Sequence, residues 1–380
     1  MKILYIMTTR MPTERAHGYQ TAKVCEKLAG LGAEVSLWYP KTEVEESKRE
    51  LFSFYGVKNN FSVRAVPFFL HSFVEGYINH SHSLIRNFFF FMSLLSEKVF
   101  KETLIITRSM EIAWQFKLRG NKTVYYAHNF PENRKWLVSF FLSGVSGIVA
   151  NSEGTAAAFR KAGFKNVKTV RNGVELEDFV NLNKSKSELR SELSLPEDRK
   201  IVLYTGHLYP WKGVDVIVET AKIMKDEDEI LFVLVGGTSH DADKYREITK
   251  SGNISNTLVL GHKEKMLIPS YLKSADILLM PNIPISDESQ YYTAPVKMFE
   301  YMSSGVPIIS SDLPSLREIL NEGNSVLIGS GNPEKLREAI LLLLGDKNKS
   351  ARISGKALSD AQKYSWDNQV GELYGFLAGL

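Results

Sequence analysis

A loop containing glycine and lysine in the second half of the chain is suited to bind an anion. It reads Gly206-His-Leu-Tyr-Pro-Trp-Lys212-Gly213 and stands between an apolar, strand-like run and a helical pattern. Glycines let the backbone approach a ligand closely, and the N–H groups that open the following helix carry partial positive charge. Lys212 adds a formal charge at the same place. Taken alone, the loop is equally compatible with an ordinary strand–helix turn and an exposed lysine.

A second helix start carries a lysine and a glutamate. It reads Thr293-Ala-Pro295-Val-Lys297-Met-Phe-Glu300 and continues as Tyr-Met-Ser-Ser-Gly305. Pro295 suits the first turn of a helix, and residues three apart share one helix face. A solvated ion pair is the simplest explanation, but the apolar neighbours leave little of this helix for water. A buried carboxylate needs a partner. We therefore favour a site in which Lys297 meets a phosphate and Glu300 binds ribose hydroxyls.

Together the two segments predict a site for a nucleoside diphosphate, held by two helix N-termini and two lysines. The same site would favour catalysis, because breaking a glycosidic bond to a diphosphate leaves negative charge on the departing oxygen. Preorganised cations and N–H donors stabilise that charge, and each good donor contributes on the order of 3 kcal/mol. The expected chemistry is transfer of a sugar from a nucleotide sugar.

The elements that position these segments follow from hydrophobic periodicity. Short apolar runs alternate with helical patterns throughout, which is typical of parallel sheets with crossover helices. The strand candidates are Ile3–Met7, Glu34–Trp38, Leu104–Thr107, Val124–Ala127, Gly147–Ala150 and Val167–Val170, then Ile201–Tyr204, Leu231–Val235, Leu258–Leu260, Ile277–Met280, Pro307–Ile309 and Ser325–Ile328. We predict an α/β fold of two Rossmann-like, doubly wound parallel-sheet domains that face each other across a cleft.

The predicted domains are 1–180 on the acceptor side and 181–362 for the nucleotide-sugar donor. Residues 363–380 form a final helix expected to pack back on the first domain. The polar stretch 181–200 is the predicted linker.

Composition excludes several classes of protein. The 47 basic and 43 acidic residues nearly balance, and no basic stripe with interleaved aromatics predicts nucleic-acid binding. Cys25 is the single cysteine, which excludes an intrachain disulfide and a cysteine-cluster metal site. No apolar run is long enough to span a membrane, so we expect a cytoplasmic protein, with the inner membrane face as the alternative. The loop from Thr8 to Gly18 lacks the Gly-x-Gly-x-x-Gly pattern of NAD-dependent oxidoreductases.

The sequence resembles glycosyltransferase family 4, whose members have the GT-B fold. The resemblance covers nearly the whole chain, and Lys297-Met-Phe-Glu300-Tyr-Met-Ser-Ser-Gly305-Val-Pro is its most specific part. The other matching segments are the opening strand–loop–helix, Asn172-Gly-Val-Glu175 with Phe179, Gly206 to Gly213, Gly236-Gly237 and Ala275-Asp276-Ile277-Leu278. This resemblance implies a retaining, hexosyltransferase-type enzyme that uses a nucleotide-sugar donor, UDP- or GDP-linked, and needs neither a cofactor nor a catalytic metal.

The resemblance also assigns residues to the site. Lys212 and Lys297 would contact the donor diphosphate, Glu300 would bind the ribose, and His128 would orient the sugar or assist the acceptor hydroxyl. A structural histidine at a strand end is the alternative for His128. The remaining donor-site positions are Gly18 beneath the donor sugar, Gly206 and His207 in the loop, His262 beside the nucleobase, and Thr293, Ala294 and Pro295, whose backbone N–H groups would face the phosphates or the sugar.

Two positions depart from the family pattern. Tyr292 stands eight residues before Glu300, where the family usually has a glutamate that contacts the donor sugar. His207 replaces the usual arginine, which weakens the positive field unless the histidine is protonated. The resemblance therefore does not identify the sugar.

Two further patterns allow competing interpretations. Asp241-Ala-Asp243 matches an Asp-x-Asp metal motif, but it stands at a predicted helix start, where acidic residues complement the helix dipole. We interpret it as a cap. The apolar segment Leu84–Leu95 is interpreted as a helix in the core of the first domain. Arg86, Lys98 and Lys101 keep peripheral membrane contact as the alternative.

The sequence thus predicts a glycosyltransferase with a glycan, lipid-linked or small-molecule acceptor. The alternatives are a sugar-nucleotide epimerase or hydrolase on the same fold, and a non-catalytic carbohydrate- or nucleotide-binding protein. Incubation with donor alone, followed by product analysis, would separate them.

Overall fold

The chain forms two compact units, each built on one parallel sheet. The structure is a computed structural model and describes residues 1–13, 16–41, 50–68 and 83–380. The first unit comprises Met1–Arg171 and Trp366–Leu380, and the second comprises Asn172–Ser365. The predicted fold class, two Rossmann-like parallel-sheet domains, is confirmed.

The first sheet has seven parallel strands in the order β3-β2-β1-β4-β5-β6-β7. Its strands are β1 Lys2–Ile6, β2 Glu34–Pro40, β3 Ser62–Val66, β4 Leu104–Thr107, β5 Thr123–Ala127, β6 Gly147–Ala150 and β7 Val167–Thr169. The strand order reverses between β1 and β4, which pair directly through Ile3 and Leu104. Loops that leave the carboxyl ends of these two strands flank the crevice where ligands of such sheets commonly bind.

Helices cover both faces of the first sheet. They are Ala16–Gly30, Leu51–Tyr55, Ser83–Ser93, Met110–Leu118, Lys135–Leu142, Glu153–Lys161 and the final helix Trp366–Ala378, with a 3₁₀ turn at Glu132–Arg134. Trp366 is 1% exposed and packs edge-on to Tyr19 at 6.4 Å, and Lys27 forms an ion pair with Asp367 at 3.0 Å. The last helix therefore belongs to the core of the first unit.

The second sheet has six parallel strands in the order β10-β9-β8-β11-β12-β13. Its strands are β8 Lys200–Thr205, β9 Ile230–Val235, β10 Thr257–Gly261, β11 Ile277–Met280, β12 Ile308–Ser311 and β13 Val326–Ile328. The order reverses between β8 and β11, which pair through Val202 and Ile277. This unit thus has its own carboxyl-end crevice.

Helices also flank the second sheet. They are Glu177–Val180, Lys186–Glu192, Val214–Ile223, Ser239–Ser251, Ile268–Ser274, Val296–Ser303, Pro314–Arg317, Pro333–Gly345 and Lys347–Ala361. Short 3₁₀ turns lie at Pro210–Lys212, Lys265–Leu267 and Gln362–Tyr364, and a π-helical turn lies at Glu288–Tyr292. Two apolar clusters, one on each face of the sheet, form the core of this unit.

Every predicted strand is present, with bounds shifted by no more than two residues. One strand was missed. β3 (Ser62–Val66) exposes four of its five residues at the edge of the sheet. A strand with one buried residue lacks the apolar run from which strands are predicted, because edge strands bury little surface.

The stretch 181–200 is not a linker, which corrects the prediction. It contains the helix Lys186–Glu192, and Leu189 and Arg190 of that helix are buried. Arg190 pairs with Asp276 at 2.7 Å, so this polar sequence is part of the second unit. The chain passes to that unit at Asn172, whose side chain donates to the carbonyl of Ala294 at 2.6 Å.

The segment Leu84–Leu95 is only partly core, which also corrects the sequence interpretation. Phe90 and Leu94 are fully buried, but four large apolar side chains of the same segment are exposed: Ile85, Phe88, Met92 and Leu95. No helix in the described ranges is long and apolar enough to cross a membrane.

Candidate functional site

The predicted donor-site loop lies at the strand-order reversal of the second sheet. β8 ends at Thr205, and the loop from Gly206 to Gly213 leads directly into the helix Val214–Ile223. Gly206 adopts a φ of +127° and Gly213 a φ of +77°, a backbone conformation that favours glycine. A Cβ on Gly213 would lie 1.8 Å from the carbonyl oxygen of Pro281. The glycines therefore allow this turn to sit directly against the chain that follows β11.

Lys297 is a lysine whose side chain is buried. The residue is 9% exposed, and its Nζ has no hydrogen-bond partner among the described residues. The ammonium lies 3.9 Å from the ring centroid of Tyr204 and 5.9 Å from that of Tyr301. Ring faces attract a cation, but they do not replace an anion. Burial, followed by the nearby charge of Lys212, holds the pKa of Lys297 well below the usual lysine value.

Lys212 lies close enough to Lys297 for the two charges to interact. Its Nζ lies 3.7 Å from the ring centroid of Trp211. Burial lowers the pKa of Lys212 to about 7, and the carboxylate of Glu288 acts in the opposite direction. Two amines thus share a poorly solvated space in which their charged forms are disfavoured. A bound polyanion would favour protonation of both.

Gly206 lies next to the Lys297 side chain. A Cβ on Gly206 would lie 3.6 Å from Lys297 Cδ and 3.9 Å from its Nζ. The loop and the helix Val296–Ser303 are therefore adjacent, as the two-lysine prediction requires. The amine reaches the loop because Lys297 points from the first turn of its helix towards the end of β8.

Glu300 is buried but not without a partner. It is 7% exposed and forms an ion pair with Lys265, which lies in the turn after β10. The carboxylate therefore has a partner within the protein, and the prediction that only a ligand can compensate its charge is wrong. Lys265 was overlooked because it lies 35 residues away in sequence. The Lys265 side chain is 43% exposed, so the pair can open towards solvent.

The stretch Thr293–Pro295 differs in detail from the prediction. Pro295 is the N-cap residue, and the helix begins at Val296. The carbonyl of Ala294 accepts a hydrogen bond from Asn172 at 2.6 Å, which fixes the chain just before the helix. Thr293 is buried. The N–H groups available at this helix start are those of Val296 and Lys297, because Pro295 has no N–H and the first helical turn lacks intrahelical acceptors.

The two histidines of the predicted donor site have different environments. His207 stacks on Tyr209 with ring centroids 4.8 Å apart and planes 3° apart, and Tyr204 Oη donates to the His207 carbonyl at 2.6 Å. His262 is exposed in the loop after β10. The Lys265–Glu300 pair connects this loop to the helix Val296–Ser303. Tyr292, at the position of the usual glutamate, is 8% exposed at the end of its π-helical turn.

Asn282 is a residue that the sequence analysis missed. It is fully buried, and within the described part of the chain neither its Oδ1 nor its Nδ2 has a hydrogen-bond partner. Its neighbours contact the lysine-bearing turn, because the Ile283 N–H donates to the Trp211 carbonyl at 2.8 Å and the Pro281 carbonyl lies against Gly213. A polar residue directly after the buried strand β11 was the available sequence signal.

His128 and Gly18 lie in the first unit. His128 follows β5, its Nδ1 lies 3.5 Å from Asn151 Nδ2, and its Nε2 finds no partner in the residues described. Burial, then the charges of Arg108 and His17, hold the pKa of His128 well below its usual value, so the imidazole is neutral at pH 7. A Cβ on Gly18 would lie 2.2 Å from Tyr55 Oη, which gives this glycine a packing role.

Arg108 was not identified from the sequence. It follows β4 at the strand-order reversal of the first sheet, and its Nη1 is buried without a partner in the described structure. The position of Arg108 after a strand was visible in the sequence, but its proximity to His128 was not.

The Asp241-Ala-Asp243 pattern is a helix cap, as predicted. Thr238 and Asp241 form a reciprocal capping box at the start of the helix Ser239–Ser251. In the parts of the chain that the structure describes, no group of three or more His, Cys, Asp or Glu side chains is arranged to hold a metal ion.

Comparison with known families agrees with the site geometry. Residues 185–359 match the family described as glycosyl transferases group 1. The matched residues all lie in the second unit.

Curated relatives match at low identity. The D-inositol 3-phosphate glycosyltransferase of Xylanimonas cellulosilytica is 25% identical over 59% of this chain and 56% of its own length. The putative teichuronic acid biosynthesis glycosyltransferase TuaC of Bacillus subtilis is 22% identical over 62% of this chain and 56% of its own. The chain spans about half the length of these relatives.

Solved structures match over the whole chain. The sucrose-phosphate synthase of Thermosynechococcus elongatus has a TM-score of 0.81 at 17% identity, covering 100% of this chain and 99% of that one. Anabaena HepE in complex with UDP has a TM-score of 0.74 at 18% identity and covers 100% of both chains. These likenesses show the fold.

Proposed function

We propose that this protein is a retaining glycosyltransferase of family 4 that transfers a hexose-type sugar from a nucleoside diphosphate sugar. The observation that carries the proposal is the buried Nζ of Lys297, which lies beside Lys212 at the strand-order reversal of the second sheet and has no hydrogen-bond partner in the described part of the chain. Two crowded amines without an equal number of acidic partners are unfavourable unless an anion joins them. A diphosphate supplies that anion.

The donor diphosphate would bind between the Gly206 loop and the first turn of the helix Val296–Ser303. Protonated Lys212 and Lys297 would neutralise its oxygens, and the free N–H groups of the helix start would donate to them. As the glycosidic bond breaks, the leaving oxygen gains negative charge, and the same groups stabilise it more strongly than they stabilise the intact donor. No metal ion is required for this role in our proposal.

Glu300 would exchange its partner when the donor binds. Lys265 pairs with it in the structure, and in the donor complex the two ribose hydroxyls would donate to its carboxylate. Lys265, whose side chain is 43% exposed, can then turn to solvent because the hydroxyls replace it at the buried carboxylate. The exposed loop with His262 would lie beside the nucleobase.

The acceptor would bind to the first unit. His128 is neutral, so its free Nε2 can accept a proton or donate one to a sugar hydroxyl. Arg108 adds one cation, which would suit an acceptor with a carboxylate or phosphate group. The donor is proposed to be UDP- or GDP-linked, and the acceptor a glycan, lipid-linked or small-molecule alcohol.

A nucleotide screen followed by product analysis tests the proposal. Thermal stabilisation by UDP-, GDP-, ADP- and CDP-sugars identifies the base. Incubation of the best donor with acceptor mixtures should release nucleoside diphosphate and form a product with the anomeric configuration of the donor, and chelator should not reduce the rate. Release of free sugar or an epimerised donor without acceptor would favour the epimerase or hydrolase alternative. Binding without turnover across a broad acceptor panel would contradict the proposed transfer.

A further inference from the structure

The helix Ser83–Ser93 exposes an apolar stripe instead of a polar face. Ile85, Phe88, Met92 and Leu95 are 43%, 57%, 43% and 52% exposed. Their spacings of three, four and three residues place them on one side of the helix and the turn that ends it. The opposite side buries Phe90. Surface helices of globular proteins usually present charged or polar residues to water, so this stripe calls for a partner.

Two neighbouring helices extend the same surface. Trp114 of the helix Met110–Leu118 stacks on Phe140 of the helix Lys135–Leu142, with ring centroids 6.0 Å apart. The large apolar side chains exposed on these two helices are Leu118 at 63%, Trp136 at 70% and Phe140 at 56%, beside exposed Glu111, Lys135 and Ser139. Gln115 Nε2 donates to the Phe91 carbonyl at 3.4 Å, which joins the middle helix to the first. We call these three helices, with the large apolar side chains just given, the three-helix apolar face.

Positive charge is concentrated in the part of the chain that builds this face. Residues 83–143 contain nine Lys or Arg and four Asp or Glu, whereas the rest of the chain contains 38 and 39. Neither the helix Ser83–Ser93 nor the helix Lys135–Leu142 contains an acidic residue. Exposed Lys98 and Lys101 follow the stripe directly. The remainder of the protein is therefore almost neutral, and this region carries the net charge.

We propose that the three-helix apolar face docks on the surface of an anionic phospholipid bilayer. Its aromatic and aliphatic side chains would enter the boundary between headgroups and acyl chains, and the basic residues would contact lipid phosphates. Exposed Trp136 suits such an interface, because its ring has an apolar body and a polar N–H. A second copy of this chain is a poorer partner, since two faces with the same excess of positive charge would repel each other.

Vesicle binding in the absence of nucleotide tests this inference separately from the proposed function. The full chain should co-sediment with vesicles of phosphatidylglycerol and phosphatidylcholine, and much less with phosphatidylcholine alone. Phe88→Gln and Phe140→Gln should each lower the partition coefficient by roughly tenfold, the loss expected when one aromatic side chain no longer buries its surface. Lys98→Gln with Lys101→Gln should weaken binding to the anionic vesicles, and added salt should weaken it further.

Val180→Gln is the matched control, because Val180 is 68% exposed on a helix of the second unit. It should bind vesicles as the unchanged protein does. Circular dichroism and nucleotide binding show whether each variant is folded. Equal binding by Phe88→Gln, Phe140→Gln and the control would overturn the proposal. So would a concentration-dependent dimer that Phe88→Gln abolishes in a protein that does not bind vesicles.

Discussion

The strand order reverses in both sheets of this protein, but different side chains lie at the two reversals. In the first sheet, Arg108 follows β4 and a neutral His128 follows β5, and Asn151 Nδ2 lies 3.5 Å from the histidine. In the second sheet, two lysines crowd the end of β8, and one of them is buried without a hydrogen-bond partner in the described residues. The first crevice therefore combines one buried guanidinium with a neutral imidazole. The second brings two amines together, and an anion between them would favour protonation of both.

This difference suggests how the two crevices divide the proposed work. Two lysines that become protonated beside a bound diphosphate stabilise a product that is more negative than the reactant, which is the property required where a diphosphate departs. A neutral imidazole can accept a hydrogen bond from a hydroxyl or donate one to it. The following experiments change residues at the second crevice or the pH at which its lysines are tested.

The largest effect is expected from Lys297→Met. Loss of this amine should lower turnover by roughly a hundredfold or more, since it removes one charge-stabilising contact. The same change should raise the free energy of unfolding by about 1 kcal/mol or more, because a buried polar group without a partner is replaced by an apolar one of similar length. Initial rates with saturating donor and a thermal melt measure the two effects.

Lys244→Met is the control for Lys297→Met. Lys244 also lies over a tyrosine ring, at 5.3 Å from the centroid of Tyr245, but it is exposed. Its replacement should change neither rate nor stability appreciably. Near-normal turnover by Lys297→Met would show that the buried amine of the second crevice does not stabilise the departing diphosphate.

Glu300 and Lys265 give the next effect. Glu300→Gln should lower turnover at least roughly tenfold if the carboxylate binds the ribose. Lys265→Met should reduce the stability of the unliganded protein by about 1 kcal/mol, and donor affinity should be unchanged or increased because the competing ammonium is gone. Calorimetric titration of both variants with the same nucleotide sugar measures their donor affinities. A Lys265→Met variant that binds donor as weakly as Glu300→Gln would show that the ion pair itself is needed.

The pH dependence of donor binding follows from the two depressed lysine pKa values. Burial lowers the pKa of Lys212 to about 7, and a bound diphosphate should raise it again. Above pH 7 binding must therefore take up protons, and affinity should fall by up to about tenfold per pH unit for each proton. The unliganded protein should become more stable over the same interval, because the unfolded chain then binds more protons than the folded one.

Titration calorimetry in Tris and in HEPES measures this proton uptake, since the two buffers ionise with different enthalpies. The double variant Lys212→Met with Lys297→Met should show no uptake at any pH. A pH-independent affinity in the unchanged protein would mean that both amines are already protonated without ligand.

Asn282→Leu tests whether the buried amide belongs to the anion site. An unpaired buried amide is destabilising by about 1–3 kcal/mol, so an apolar residue of similar size should raise the melting temperature. If the amide gains its hydrogen bonds only when the donor is bound, donor affinity should fall several-fold in the same variant. Asn282→Ser should preserve part of the affinity. A variant that is destabilised and binds donor normally would make Asn282 a structural residue.

Hydrophobic runs were sufficient to predict nearly all strands, because strands buried on both faces are apolar along their whole length. β3 was missed because it is an exposed edge strand. The site loop, both lysines and Glu300 were also predictable, since glycines and charges at strand–helix junctions are local patterns. Lys265 was not, because the turn after β10 and the helix Val296–Ser303 meet only in the folded unit.

The sequence by itself determined the alternation of strands and helices, the two sheets, and the residue types at the end of β8. Only the tertiary structure decided which charges have partners. It paired Glu300 with Lys265, and it left the side-chain polar atoms of Lys297 and Asn282 without partners among the residues that the structure describes. It also exposed the apolar stripe of the helix Ser83–Ser93. The physical reason is that burial and pairing depend on contacts between elements distant in the chain, whereas element type depends mainly on neighbours.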